Sequence, residues 1–199
     1  GQAAQALCQQ LRNQGLDAVA LEGDLGTDAG RRQLMAQAHT LAGPVTCLVN
    51  NASAFEPDTA ASFNDDLARQ QLEVNLIAPM ALARELAAGL PDAAADALNA
   101  SVIHILDQKV FNLNPDYFSY TVSKLALERA VALQAQALAP LRVCGVAPGL
   151  MFLSGPQTQE NFDRASRVNL LREPIDPAQV AATCLFLAQN PCITGTTVC

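Results

Sequence analysis

The chain has 199 residues, half of them hydrophobic and only 16% charged, which excludes a disordered chain and suffices for one domain, residues 1–199, with a sizeable core. A formal net charge of −7 argues against a general nucleic-acid or anionic-membrane surface, and no apolar run reaches the ~18 residues that would cross a bilayer. Six cysteines, at positions 8, 47, 144, 184, 192 and 199, form no Cys-x-x-Cys pair and no zinc spacing with the two histidines. No metal is expected, and the cysteines read as small buried hydrophobes of a protein in the reducing cytoplasm.

Residues 2–14 read as a helix that Gly15 ends. Asp17–Leu21 reads as a short strand followed by Glu22-Gly23-Asp24-Leu25. Thr27 reads as the N-cap of a helix to about Leu41, which Gly43-Pro44 breaks; His39 falls on its surface. Val45–Val49 is a continuous apolar run, as expected of a strand covered on both faces, and Asn50-Asn51-Ala52-Ser53 follows it. A long helical pattern covers Phe63–Gly89 with an interruption expected near Pro79. Val102–Leu106 is the next buried strand, in which His104 reads as a core residue. Tyr117–Leu138 is helical, and Arg142–Ala147 is a strand ended by Pro148-Gly149. Ser154–Arg172 reads as a polar excursion; Asp176-Pro177 starts a helix to about Ala188, and Thr196–Val198 begins a last strand. Strands alternating with helices predict an α/β fold with a doubly wound parallel sheet, whose ligands bind beyond the carboxyl ends of the strands.

The special residues fall at those ends. Asn50–Phe55, Asp107 and Pro148-Gly149 each follow a strand, and Tyr120 and Lys124 lie on the helix after Asp107. Tyr120 and Lys124 are four residues apart, so they share a helix face. An ammonium beside a phenol favours the phenolate, which predicts a lowered Tyr120 pKa and a general acid or base near neutral pH.

With this ordered set the chain resembles the short-chain dehydrogenase/reductase family over nearly its whole length. Asn50-Asn51-Ala52-Ser53 is similar to the family's Asn-Asn-Ala-Gly motif. Asn75, Tyr120 and Lys124 match its catalytic residues, with Asn75 implied to hold a water near Lys124. Asp24, with Leu25, matches the adenine contact, and Pro148-Gly149 the loop over the nicotinamide. The resemblance implies a Rossmann-type fold and a dinucleotide bound by Asp24, Leu25, Asn51, Ala52, Ser53, Tyr120, Lys124, Pro148 and Gly149. It also implies a homo-oligomer, dimer or tetramer.

Two departures point further. Most members carry serine where this chain has Asp107, thirteen residues before Tyr120. An ionised carboxylate can only accept hydrogen bonds, which suits a substrate with N–H donors or a proton relay. Asp107 together with Asn-Asn-Ala-Ser-x-Phe resembles the pteridine reductases. That resemblance implies NADP, with NAD not excluded, and a pterin contacted by Ser53, Phe55, Asp107 and Tyr120, Phe55 stacking on its ring. As residues alone, Phe55 also reads as a loop anchor and Asp107 as a strand-end turn residue. The implied function is NAD(P)H-dependent reduction of a dihydropterin. A carbonyl reductase, such as a 3-oxoacyl carrier-protein reductase, and a silent binding protein on the same fold are the alternatives. The family's first strand, Gly-rich turn and second strand do not occur ahead of Gly1, nor its distal end after Cys199, and a longer natural protein is the expectation that follows.

Overall fold

The structure is a computed structural model describing residues 1–90, 99–155 and 157–199. Four parallel strands lie in the order β1 (Cys47–Asn50), β2 (Ser101–Ile105), β3 (Arg142–Val146) and β4 (Thr197–Val198). Residue 47 pairs with 101 and 101 with 142, so the carboxyl ends of β1, β2 and β3 finish at one edge.

Among the described residues the α-helices are α1 (Gln2–Asn13), α2 (Asp28–Ala42), α3 (Asp65–Leu72), α4 (Ala78–Gly89), α5 (Phe118–Ala137), α6 (Gln159–Ala165) and α7 (Pro177–Gln189). Alternation in the strands decides what each side of the sheet buries. Val102 and Val143 point to a core built with Met35 of α2, Leu82 and Leu86 of α4 and Ala135 of α5. Ile103 and Cys144 point the other way, to Leu187 of α7. Helices therefore cover both faces, as the doubly wound reading requires.

Local chemistry sets the helix ends. The Thr27 hydroxyl accepts from the Gly30 amide, and Asp176 accepts from the Ala178 amide with Pro177 in the first turn. Gly43, at φ 76°, ends α2. At the far end of α7, the buried Arg142 guanidinium donates to the carbonyls of Leu187, Ala188 and Asn190 at 2.7–2.8 Å. A cation there meets the negative end of the helix.

Four expectations need correction. Asp17–Leu21 forms no strand and joins no sheet, and most of its residues are exposed. The β1 run is not covered on both faces: Cys47 is exposed and Val49 is 45% exposed, because α7 lies over β2 and β3. The cysteines are not uniformly buried: Cys47, Cys192 and Cys199 are exposed, and Cys144 alone among the six is buried. The Ser154–Arg172 stretch contains α6, capped by the Thr158 hydroxyl on the Asn161 amide; residue 156 lies outside the described residues. The interruption of the long helix is a π-helical turn, Glu73–Ile77, ending two residues before Pro79.

Candidate active site

Beyond the carboxyl ends of β1, β2 and β3, three loops meet the start of α5. The loop after β2 begins at Asp107, half-buried, whose Oδ1 accepts the Lys109 amide and whose Oδ2 accepts the Tyr120 hydroxyl, both at 2.8 Å. The loop after β3 is tied to it where the Gln108 amide donates to the Pro148 carbonyl at 3.0 Å. Gly149 follows, and an added Cβ there would meet Ile175 at 3.3 Å. Tyr120 and Lys124 are both buried on α5, one helical turn apart.

The electrostatics run against the expected direction. Burial, and then the Asp107 carboxylate, push the Tyr120 phenol above its usual value. Lys124 does not offset this. Its Nζ donates to the Ile105 carbonyl at 2.8 Å and lies 5.7 Å from the Tyr120 ring centroid. Burial lowers Lys124 itself to about 8, with Asp107 pulling the other way. The charge that meets the phenol hydroxyl is thus the carboxylate, so Tyr120 holds its proton firmly. The Tyr120–Asp107 pair can store a proton and pass it on, provided the acceptor is strongly basic.

Asn75 ties the loop after β1 to this assembly. It sits fully buried in the π-helical turn, and its amide makes four hydrogen bonds. Nδ2 donates to the Ala54 carbonyl at 2.8 Å and to Ser123 Oγ at 3.0 Å; Oδ1 accepts from the Ala54 amide at 2.7 Å and from Ser53 Oγ at 3.1 Å. Those bonds use both donors and both acceptor positions of the side chain, so Asn75 clamps the Asn-Asn-Ala-Ser loop to α5.

Phe55 leaves that loop half-buried, and its ring already has company. It stacks on Tyr117 with centroids 4.1 Å apart and an interplanar angle of 7°, and meets Tyr120 edge-on at 4.6 Å and 84°. One face of the expected stacking surface is therefore covered by a residue of the chain itself. Tyr117 stands three residues before Tyr120, at φ 56°, a left-handed conformation uncommon for a residue with a Cβ. Sequence reasoning passed over Tyr117. Its only signal was an aromatic at helical spacing from Tyr120.

The remaining residues line the edge of β1. One cavity of about 160 Å³ is bordered by Leu25, Leu48, Asn51, Ala52, Val74 and Leu82. A second, of about 360 Å³, is bordered by Val49, Asn51, Ile105, Met151, Phe152 and Cys184. Asp24 is exposed beside Leu25, its Oδ1 accepting the Gly26 amide at 2.9 Å. Asn51 borders both cavities. Among the described residues no group of three or more His, Cys, Asp or Glu could hold a metal, and no helix is long and apolar enough to cross a membrane.

The enoyl-(acyl carrier protein) reductase family model matches residues 1–199. The chain belongs to the short-chain dehydrogenase/reductase family. The Escherichia coli uncharacterized oxidoreductase YghA is 28% identical over 88% of this chain. Human dehydrogenase/reductase SDR family member 4 is 27% identical over 94% of it. The chain spans 60% of the length of the first relative and 69% of the second. The crystal structure of FolM alternative dihydrofolate reductase 1 from Brucella canis, complexed with NADP, is 35% identical with a TM-score of 0.91. That alignment covers 98% of this chain and 76% of FolM. A blue fluorescent protein from a metagenomic library, in complex with NADPH, is 26% identical with a TM-score of 0.87, covering 98% of this chain and 79% of that one. The parallel sheet with helices on both faces is thus the Rossmann-type arrangement of this family.

Proposed function

We propose that this protein reduces a small planar substrate, a dihydropterin, with NADPH, and that Tyr120 is the proton donor. The observation that carries the reading is the hydrogen bond of Tyr120 to Asp107, set edge-on against the Phe55 ring. A carboxylate in that place accepts from N–H groups and repels a carbonyl oxygen, and an aromatic ring nearby favours a flat heterocycle. The likeness to an alternative dihydrofolate reductase supports the same choice.

Bound NADPH would supply the hydride. Asn51, Ala52, Ser53 and Tyr120 would contact the cofactor, Lys124 would hold the nicotinamide ribose, Asp24 and Leu25 would meet the adenine, and the Pro148-Gly149 loop would lie over the nicotinamide. Hydride addition to a substrate C=N bond leaves the electron pair on nitrogen. That nitrogen is basic enough to take the proton from Tyr120, despite its raised pKa. Asp107 then relays a replacement proton from solvent. Ser53 and Phe55 complete the substrate side. Cysteines without disulfide partners agree with a cytoplasmic location, and exposed Val122 and Leu133 on α5 supply apolar surface for a homo-oligomer, dimer or tetramer.

A carbonyl reductase, such as a 3-oxoacyl carrier-protein reductase, is the second reading, and the matching family model also points to a carrier-protein thioester; carrier proteins, however, are acidic and meet basic surfaces, unlike a chain of net charge −7. The test is NADPH and NADH oxidation by the full-length protein with dihydropterins, quinones and oxoacyl thioesters. Dihydropterins should give the highest kcat/KM. Tyr120→Phe should lower it about 100- to 10,000-fold, and Asp107→Ser should lower it on pterins more than on thioesters. A preference for thioesters that Asp107→Ser leaves untouched would remove the pterin assignment. No oxidation with any substrate would make the protein a binding module.

A further inference from the structure

Helix α5 carries both Tyr120 and Lys124, yet it begins without a cap of its own. Its N-cap position is Tyr117, which is left-handed and makes no side-chain cap bond. The first amides of a helix have no partner within it, and a buried start left so would be costly. The partners come from 60 and 61 residues away. The Asp58 carbonyl accepts the Phe118 amide at 3.2 Å, Asp58 Oδ1 accepts the Ser119 amide at 2.9 Å, and Oδ2 accepts the Ser119 hydroxyl.

Asp58 is itself 6% exposed, and among the described residues no ion pair to it is formed. A buried carboxylate is expensive unless hydrogen-bonded or matched by positive charge, and the helix N-terminus supplies both. The geometry assigns Asp58 as a positioning residue: it clasps the start of α5 to the loop that presents Phe55, and so fixes Tyr120 against the stacking site. Phe55 is three residues before Asp58, and Tyr120 is the residue after Ser119. A change at either end of this clasp moves the donor relative to the ring. Asp58 touches neither cofactor nor substrate in this account and acts through Tyr120. The inference rests on Tyr120 being the proton donor; the substrate can be a pterin or another acceptor.

The experiment compares Asp58→Ala, Asp58→Asn and Ser119→Ala with wild type, on whichever substrate wild type reduces best. Misplacing a reacting group by about 1 Å can cost on the order of 100-fold. Asp58→Ala should therefore lower kcat by roughly 10- to 100-fold while the NADPH dissociation constant changes less than about twofold. The solvent deuterium isotope effect on kcat should rise, because proton donation becomes slower than the other steps. Asp58→Asn should restore most of kcat, since its amide oxygen still accepts the Ser119 amide. Ser119→Ala, which keeps the carboxylate, should show a smaller loss with the same isotope signature, and it decides the matter if Asp58→Ala does not fold. A kcat within twofold of wild type in Asp58→Ala, or an equal loss of kcat and NADPH affinity with no isotope effect, overturns the assignment. If wild type ignores pterins but reduces thioesters, the pterin reading falls and the Asp58 test proceeds on thioesters. If nothing is reduced, amide exchange decides. The Phe118 and Ser119 amides should lose at least about tenfold protection in Asp58→Ala while the carboxyl half of α5 keeps its own; unchanged protection there refutes the clasp.

Discussion

His104 gives a pH dependence of stability whose size follows from its surroundings. The ring is fully buried on β2, where Asn50 Nδ2 approaches Nδ1 at 3.2 Å and Gln134 Oε1 approaches Nε2 at 2.9 Å. Asn50 Nδ2 is a donor, so Nδ1 must accept, and Nε2–H donates to Gln134. A second proton would land on Nδ1, facing the Asn50 amide hydrogens. Burial lowers the pKa to about 4 against a reference of 6.5, Gln134 opposing and Lys124 adding to the shift. The folded state thus binds this proton less readily than the unfolded chain. The contribution is complete above pH 6.5, is lost as pH falls through the window between 6.5 and about 4, and changes no further below it. At about 1.4 kcal/mol per unit the full loss approaches roughly 3 kcal/mol, and by pH 5 about 2 kcal/mol of it has gone. Urea unfolding followed by circular dichroism, at intervals from pH 7.5 to 5, should show that decline in wild type. His104→Gln should be less stable at pH 7.5 but flatter by about 2 kcal/mol across the range. The carboxylates titrate alike in both proteins, so the difference in slope isolates His104. Parallel curves would refute the reasoning.

Phe55→Ala should weaken binding of a dihydropterin, measured by its KM or by calorimetry, by less than the about 1–3 kcal/mol of a free stack, because Tyr117 already stacks on the ring, with NADPH affinity unchanged. Asn75→Ala removes four hydrogen bonds at once; at about 1 kcal/mol each, partly regained by water, a loss of about 3 kcal/mol in urea unfolding is expected, with a fall in turnover as the Ser53–Ala54 loop is released. Arg142→Met leaves three carbonyls at the end of α7 without their cation. A loss of about 3 kcal/mol should lower the Tm by roughly 6–10 °C, and no change in a calorimetric scan would show that the cap contributes nothing.

The parts of the fold legible in the sequence were those fixed by neighbours in the chain. Thr27, Gly43 and Asp176-Pro177 mark helix ends by chemistry acting within a few residues, and the apolar runs at β2 and β3 announce strands buried on both sides. The candidate site was legible as a set of residues, and the structure gathers Asp107, Tyr120, Lys124, Ser53 and Phe55 as their places at the strand ends required. What the sequence hid depends on distant partners. Asp17–Leu21 has a strand's composition but no ladder to join. Asn75 lies in an unbroken helical pattern, and nothing local announces the extra residue of a π-helical turn. Spacing placed Lys124 beside Tyr120 but could not say that its ammonium turns to the Ile105 carbonyl, leaving Asp107 to set the phenol's acidity. Asp58 reads as one acidic residue among many until Ser119 arrives from 61 positions away.

The stack of Tyr117 on Phe55 makes this protein its own first ligand. A flat molecule that takes Tyr117's place gives up one ring contact as it gains another, so its measured affinity is the difference between two stacks rather than the strength of one. That affinity is reduced by the fraction of molecules in which Phe55 is already bare. Removing the Tyr117 ring while keeping Phe55 would then tighten flat ligands without adding a contact to any of them. An inhibitor built to cover the joined pair from outside would escape the competition altogether.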